Sequence, residues 1–245
     1  MTEGAIQAVV LDLDDTLFDT SGTLIGPANR EAAAAMIGAG LPGTIESVAQ
    51  RRMALSRAHP GDDPDELTVR SFGLDGRDDV AAAGREAFYS RTVRSIEPFP
   101  ETLGVLEALT AAVDLCLLTT GAPPTQQRKV ELLGIEDFFA EIVLVDIATE
   151  NKLAALAALQ ARRGWQAAGV VVVGDRIDRE IEAGRRLGMW TVRMAHGEGR
   201  HMAPTGPEQQ AHYTIDRLDG LPHVLEDIVA TGDSPAQAVG EVDAL

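Results

Sequence analysis

Short runs rich in Val, Ile and Leu recur along this chain at residues 6–11, 113–118, 142–145, 170–173, 190–193 and, more weakly, 213–215. Between the later runs lie helical patterns at 102–112, 125–133, 153–163 and 180–187, two of them closed by Gly134 and Gly188. Strand alternating with helix predicts parallel βαβ units, hence an α/β fold of Rossmann-like type, a parallel sheet with helices on both faces. The interval from about residue 19 to 96 breaks the alternation. It holds helical stretches at 29–37, 45–57 and 80–93, with turns expected at 61–64 and 73–79, and no convincing strand. That length is too great for an ordinary crossover, so an inserted helical subdomain is expected at 19–96. Residues 1–18 and 97–232 then make the core domain, and 233–245 a frayed tail.

The first run ends in acid: Val9-Val10-Leu11-Asp12-Leu13-Asp14-Asp15-Thr16. In open α/β sheets ligands bind beyond the carboxyl ends of the strands, where Asp12 falls. On an extended chain Asp12 and Asp14 project to one side while Leu13 points into the core. Two carboxylates so close repel, and a hard divalent cation with oxygen ligands, magnesium first, would relieve them. A solvated Asp-rich turn is the plain alternative for such a stretch taken alone. Three further signals follow later strands: Thr119-Thr120-Gly121, then Lys152, then Gly174-Asp175 with Glu180.

Composition narrows the partners. A formal net charge of -17 repels phosphate backbones and anionic lipid heads, which argues against nucleic acid and membrane surfaces. Lys129 and Lys152 are the only lysines, so each invites a reason. The lone Cys116 sits in an apolar run, where a buried inert thiol is expected. With no signal-like or bilayer-spanning apolar stretch, the expected setting is cytoplasmic.

Taken together, the four strand-end signals resemble the haloacid dehalogenase (HAD) superfamily, mostly phosphatases, with the likeness running from Ile6 to about Ile228. The family's hhhDxDxT pattern falls on Asp12, Asp14 and Thr16, its hhh[ST] on Thr119, its lysine on Lys152, and its GDxxxxD on Asp175 and Glu180. The helical insert is similar to the family's C1-type cap, and residues 174–192 to its small-metabolite phosphatases. The resemblance implies a Mg-dependent phosphomonoester hydrolase, with the cap closing over the site. Asp12 would be the nucleophile that forms an aspartyl-phosphate, and Asp14 the acid and then the base. Magnesium would be held by Asp12, Asp14 (through its carbonyl), Asp175 and Glu180. Thr119 and Lys152 would complete the catalytic set, and Thr16, Thr120 and Gly121 would bind the substrate's phosphoryl group. The partner implied is a small phosphorylated metabolite, met by a monomer or a homodimer.

The chain departs from the pattern in places. Leu153 follows Lys152 where proline is common, which leaves the helix start open. Lys129 is the rival lysine, expected on a solvated helix face. Asp178 is an alternative to Glu180, and an ion pair with either acid is expected for Arg176. Asp15 reads as a hydrogen-bonding loop residue, Asp19 as a cap or hinge. The histidines and glycines of residues 196–201 read as a loop, and the arginines of the insert, such as Arg51, Arg52 and Arg70, mostly as a solvated face, with one of them an alternative substrate contact. A phosphosugar mutase shares this chemistry. A dehalogenase would need neither Asp14 nor the metal acids, and a non-catalytic regulatory protein would not need every catalytic position filled.

Overall fold

A computed structural model of the chain describes residues 5–59, 62–89, 94–146, 149–197 and 199–236, with the backbone of Val242–Asp243. Among the described residues, seven strands form one parallel sheet: β1 (Ala8–Leu11), β2 (Asp114–Thr120), β3 (Glu141–Val145), β4 (Val170–Gly174), β5 (Trp190–Met194), β6 (Tyr213–Ile215) and β7 (Val242–Asp243). Their order is β3-β2-β1-β4-β5-β6-β7. The first strand is therefore central, paired with β2 on one side and β4 on the other. The winding direction reverses between β1 and β4, and at such a switch point the strand ends leave a crevice.

All four residues of β1 and all five of β4 are buried, as an apolar strand covered on both faces requires. Ala8, Val10, Cys116, Leu118, Val170 and Val172 face one layer, where they pack with Ala155, Leu156 and Leu159 of α7 (Lys152–Arg163) and Ala183 of α8 (Glu182–Arg186). The alternate residues Val9, Leu11, Leu117, Val171 and Val173 are also buried. On that side α5 (Thr102–Thr110) lies against β2 and against α9 (Leu221–Thr231). Burial raises the Cys116 thiol to about 11, in keeping with an inert core cysteine. Among the described residues, no helix is long and apolar enough to cross a membrane.

Contacts divide the chain into two units, residues 1–20 with 94–245, and residues 21–93. Asp19 and Thr20, expected in the insert, group with the sheet. The smaller unit is helical: α1 (Gly26–Gly38), α2 (Ile45–Ala58), α3 (Pro64–Ser71) and α4 (Asp78–Tyr89). Ala33, Met36, Leu41, Val48, Val69 and Val80 form its core. Of residues 61–64, expected as a turn, Gly61 lies outside the described set and Pro64 already belongs to α3. Asp63 caps that helix, its side chain accepting from the N–H groups of Asp65 and Glu66, and Pro64 starts it. The expected helical stretch at 80–93 runs from Asp78 to Tyr89, and residues 90–93 lie outside the described set.

Two other expectations need correction. Arg52 does not lie on a solvated face. It is buried, donates to both carboxylate oxygens of Asp65 at 2.8 Å and to Asn29 at 2.6 Å, and covers the Phe88 ring at 4.4 Å. The backbone makes room for this pair, since a Cβ on Gly84 would stand 2.4 Å from Asp65 Oδ1. The tail, in turn, contributes β7, which pairs with β6, while residues 237–241, 244 and 245 lie outside the described set.

Removing one partner of a buried pair strands the other's charge. Arg52→Ala is expected to destabilise the helical unit by about 3–5 kcal/mol. Urea unfolding checks this, and a loss near zero would mean that Asp65 finds water or another cation.

Candidate active site

Asp12 follows β1, and its N–H extends the ladder to the Val173 carbonyl at 2.9 Å. Asp175 follows β4, one strand over, so two parallel neighbours end in acid side by side. Glu180 is delivered by a π-helical turn (Ile177–Ile181) that precedes α8, a wider turn than the expected helix at 180–187. That turn folds Glu180 over Gly174, where a Cβ would meet the Glu180 side chain at 2.3 Å. Glycine is thus demanded by the close approach, not by backbone angles. Oxygens of Asp12, Asp175 and Glu180 lie within 4.8 Å of one another, all three residues buried. Asp178 is directed elsewhere, into a two-bond pair with Arg176 at 2.9 Å.

One amine serves this trio. Lys152 Nζ donates to Asp12 Oδ1 at 2.5 Å and to Glu180 Oε1. Lys152 opens α7, and the missing proline is compensated by Asn151, whose side chain accepts from Ala154 N–H at 2.9 Å. Burial disfavours the charged amine, but Asp12 and Glu180 outweigh it and hold its pKa above the ordinary lysine value. Three buried carboxylates against one ammonium leave excess negative charge. Burial, opposed by Lys152 and reinforced by Glu180, pushes Asp12 up to about 7. Burial together with Glu180 and Asp12 pushes Asp175 up to about 9. Hard oxygen donors, clustered and short of positive charge, fit a divalent cation such as magnesium.

Asp14 belongs to a second cluster. The chain turns after Leu13, with the Leu17 N–H bonded to the Leu13 carbonyl at 3.0 Å and Asp15 at φ 55°, a left-handed value that Asp tolerates. This turn carries Asp14 to Lys129, whose Nζ lies 2.7 and 2.8 Å from its two carboxylate oxygens. Lys129 is therefore buried and paired, not on the solvated face expected for it. Gln126, which the sequence did not single out, donates to Asp14 Oδ2 at 3.0 Å and to Thr119 Oγ1 at 2.7 Å. Its spacing from Lys129 on α6 (Pro123–Leu133) was the available signal, since positions i and i+3 share a helix face.

The remaining predicted residues differ in what they offer. Thr119 is buried at the end of β2. The hydroxyls of Thr16 and Thr120 are buried, with no hydrogen-bond partner among the described residues. The Gly121 N–H is committed to the Val145 carbonyl at 2.9 Å, and Gly121 leaves space for the Gln126 side chain. His196 of the later loop packs edge-on against Phe99 with its Nε2 3.3 Å from Asp19 Oδ1. A cleft of about 330 Å³ lies beside Lys152, lined also by Thr120, Asn151, Arg179 and Arg186.

The chain matches the family described as haloacid dehalogenase-like hydrolase over residues 6–188, and it belongs to that family. It is an enzyme of the family's phosphatase class. Among its relatives, glyceraldehyde 3-phosphate phosphatase of Methanopyrus kandleri is 32% identical over 91% of this chain and 97% of the relative. Phosphoglycolate phosphatase of Synechococcus elongatus is 29% identical over 78% and 85%. A predicted phosphoglycolate phosphatase from Haemophilus somnus superposes with a TM-score of 0.70 at 18% identity, covering 91% of this chain and 99% of that one, a likeness of fold.

The raised acids have a thermodynamic consequence. A carboxyl whose folded pKa exceeds its unfolded value stabilises the fold fully below the unfolded value and loses that contribution as pH rises through the folded one. For Asp12 and Asp175 the window runs from about 4 to about 9. The metal-free protein is therefore expected to lose stability across it, and Asp175→Asn to be more stable at pH 8 by on the order of 2 kcal/mol. Thermal melts in EDTA check this, and an unchanged or lower Tm for the variant would contradict the charge excess.

Proposed function

We propose that this enzyme hydrolyses phosphomonoesters of small metabolites through an aspartyl-phosphate on Asp12, with magnesium held by Asp12, Asp175, Glu180 and the Asp14 carbonyl. The observation that carries the reading is one buried amine, that of Lys152, bonded to both Asp12 and Glu180 beside Asp175. Bound there, the cation would neutralise the acids and shield the incoming phosphate from them.

The residues divide the reaction between them. Lys152 favours the anionic form of Asp12, which the bound cation would favour further, and adds positive charge where the phosphoryl oxygens arrive. An Asp12 carboxylate oxygen attacks phosphorus, and the bond from phosphorus to the ester oxygen breaks. Asp14 gives its proton to the departing alkoxide, then takes one from the water that attacks the aspartyl-phosphate and frees inorganic phosphate. The Thr119 hydroxyl supports the phosphoryl oxygens, and the buried hydroxyls of Thr16 and Thr120 are further donors available to the site. The relatives named for glyceraldehyde 3-phosphate and phosphoglycolate support a substrate of a few carbons. Asp175 and Glu180 disfavour the dehalogenase alternative, which has no use for them.

Asp12→Asn is expected to abolish turnover and to remove any acyl-phosphate trapped by hydroxylamine, while EDTA stops the wild-type enzyme and magnesium restores it. Steady-state assays on short phosphorylated metabolites measure both, and full activity in Asp12→Asn would overturn the nucleophile.

A further inference from the structure

The reaction above uses Asp14 but leaves the second lysine without a role. Four hydrogen bonds converge on the Asp14 carboxylate. Oδ1 accepts from Thr20 Oγ1 and Lys129 Nζ, each at 2.7 Å, and Oδ2 from Lys129 Nζ at 2.8 Å and Gln126 Nε2 at 3.0 Å. A carboxylate has about four lone-pair sites, so this set fixes its plane and its position, and Asp14 carries the proton it gives only when one of these donors yields its site. Gln126 ties the same carboxylate to Thr119 through the other hydrogen of its amide.

The carrier of two of these donors is rigid where it matters. Helix α6 begins two residues after Gly121 with Pro123 and Pro124, and Gln126 and Lys129 are both buried on its inner face. Lys129 is bonded to both Asp14 oxygens, and its Nζ lies 5.9 Å from the centre of the Phe18 ring. An ammonium in a surface ion pair would be half exposed; this side chain is 9% exposed.

We propose that Lys129 and Gln126 are positioning residues that hold the Asp14 carboxyl in line with the leaving oxygen, so that helix α6 couples the proton donor to the phosphate-binding end of β2. The proposal rests on Asp14 acting as acid and base. Misplacing a catalytic group by about 1 Å can cost on the order of 100-fold, and general acid–base help is itself worth about 10²–10⁴-fold.

Leaving groups separate this role from a structural one. An alkyl phosphate releases a poor alkoxide that needs the proton, whereas 4-nitrophenyl phosphate releases a stabilised phenolate that hardly does. In the full chain with magnesium, Lys129→Met is expected to lower kcat on an alkyl phosphate by about 100-fold with little change in KM. The first turnover of 4-nitrophenyl phosphate, followed by stopped flow, should fall at least about tenfold less, leaving a burst followed by slow release of phosphate. Lys129→Arg should recover part of the loss, Gln126→Leu should shift the same ratio in the same direction, and Lys129→Met in an Asp14→Asn background should add nothing.

Equal losses on both esters, a rise in KM in place of the fall in kcat, or additive losses with Asp14→Asn would put Lys129 on the substrate phosphate and overturn the proposal. So would an inactive Asp14→Asn beside an undiminished Lys129→Met. If Asp14→Asn keeps full alkyl-ester turnover, the acid–base reading itself falls, and with it anything Lys129 could position. Should Lys129→Met fail to fold, the ester ratio in Gln126→Leu and Lys129→Arg decides, and an unaltered ratio in both refutes the coupling.

Discussion

Three carboxylates share one buried ammonium at the ends of the central strands, and the rest of the architecture follows from having to hold them there. Asp12, Asp175 and Glu180 are each out of water, where an uncompensated ionised carboxylate is strongly disfavoured. Lys152 balances one charge and bridges two of the acids, which leaves Asp12 and Asp175 with raised pKa values. A fold chosen only for stability would replace such a cluster with apolar side chains. Its presence at a winding reversal, on strands buried from end to end, fits the proposed site, in which stability would be exchanged for affinity toward a cation and an anion together.

The positions of these groups come from backbone features of very different scale. The parallel register of β1 with β4 aligns Leu11 with Val173 and so sets the two strand-end aspartates near each other. A single wide turn brings Glu180 back over Gly174. One capped helix start, Asn151 before Lys152, aims the amine at both. These elements meet at one point only because βαβ winding puts every strand end on the same edge of the sheet.

Much of this was legible in the sequence, and the reasons are specific. Fully buried strands such as Val170–Gly174 must be apolar throughout, so their ends announce themselves by the first acid. Lys152 and Glu180 could be placed because each follows a strand closely. Lys129 and Arg52 could not, since a cation on an amphipathic helix has the same spelling whether it meets water or a carboxylate, and its partner lies far along the chain: Asp14 for one, Asp65 on another helix for the other. Helix α3 was missed for a nearer reason. Asp63-Pro64 serves both as a turn signal and as a helix start, and the run that follows, Asp65 to Ser71, is too short and polar to display a periodic apolar face.

The scarcity of lysine acquires a physical sense from these contacts. With 21 basic residues and only two of them lysine, both lysines lie buried on the two aspartates of the first motif, Lys152 on Asp12 and Lys129 on Asp14. Arginine suffices elsewhere: Arg52 and Arg176 each hold a carboxylate by a planar two-bond fork, a geometry that fixes its partner rigidly. At Asp12 a fork would occupy both oxygens, including the one that attacks phosphorus in the proposed reaction, whereas the compact ammonium takes one oxygen of Asp12 and one of Glu180. At Asp14 the ammonium reaches both oxygens from a single point, which still leaves Thr20 and Gln126 room to bond the same carboxylate. The choice of cation at each aspartate thus follows from how many other groups that aspartate must meet.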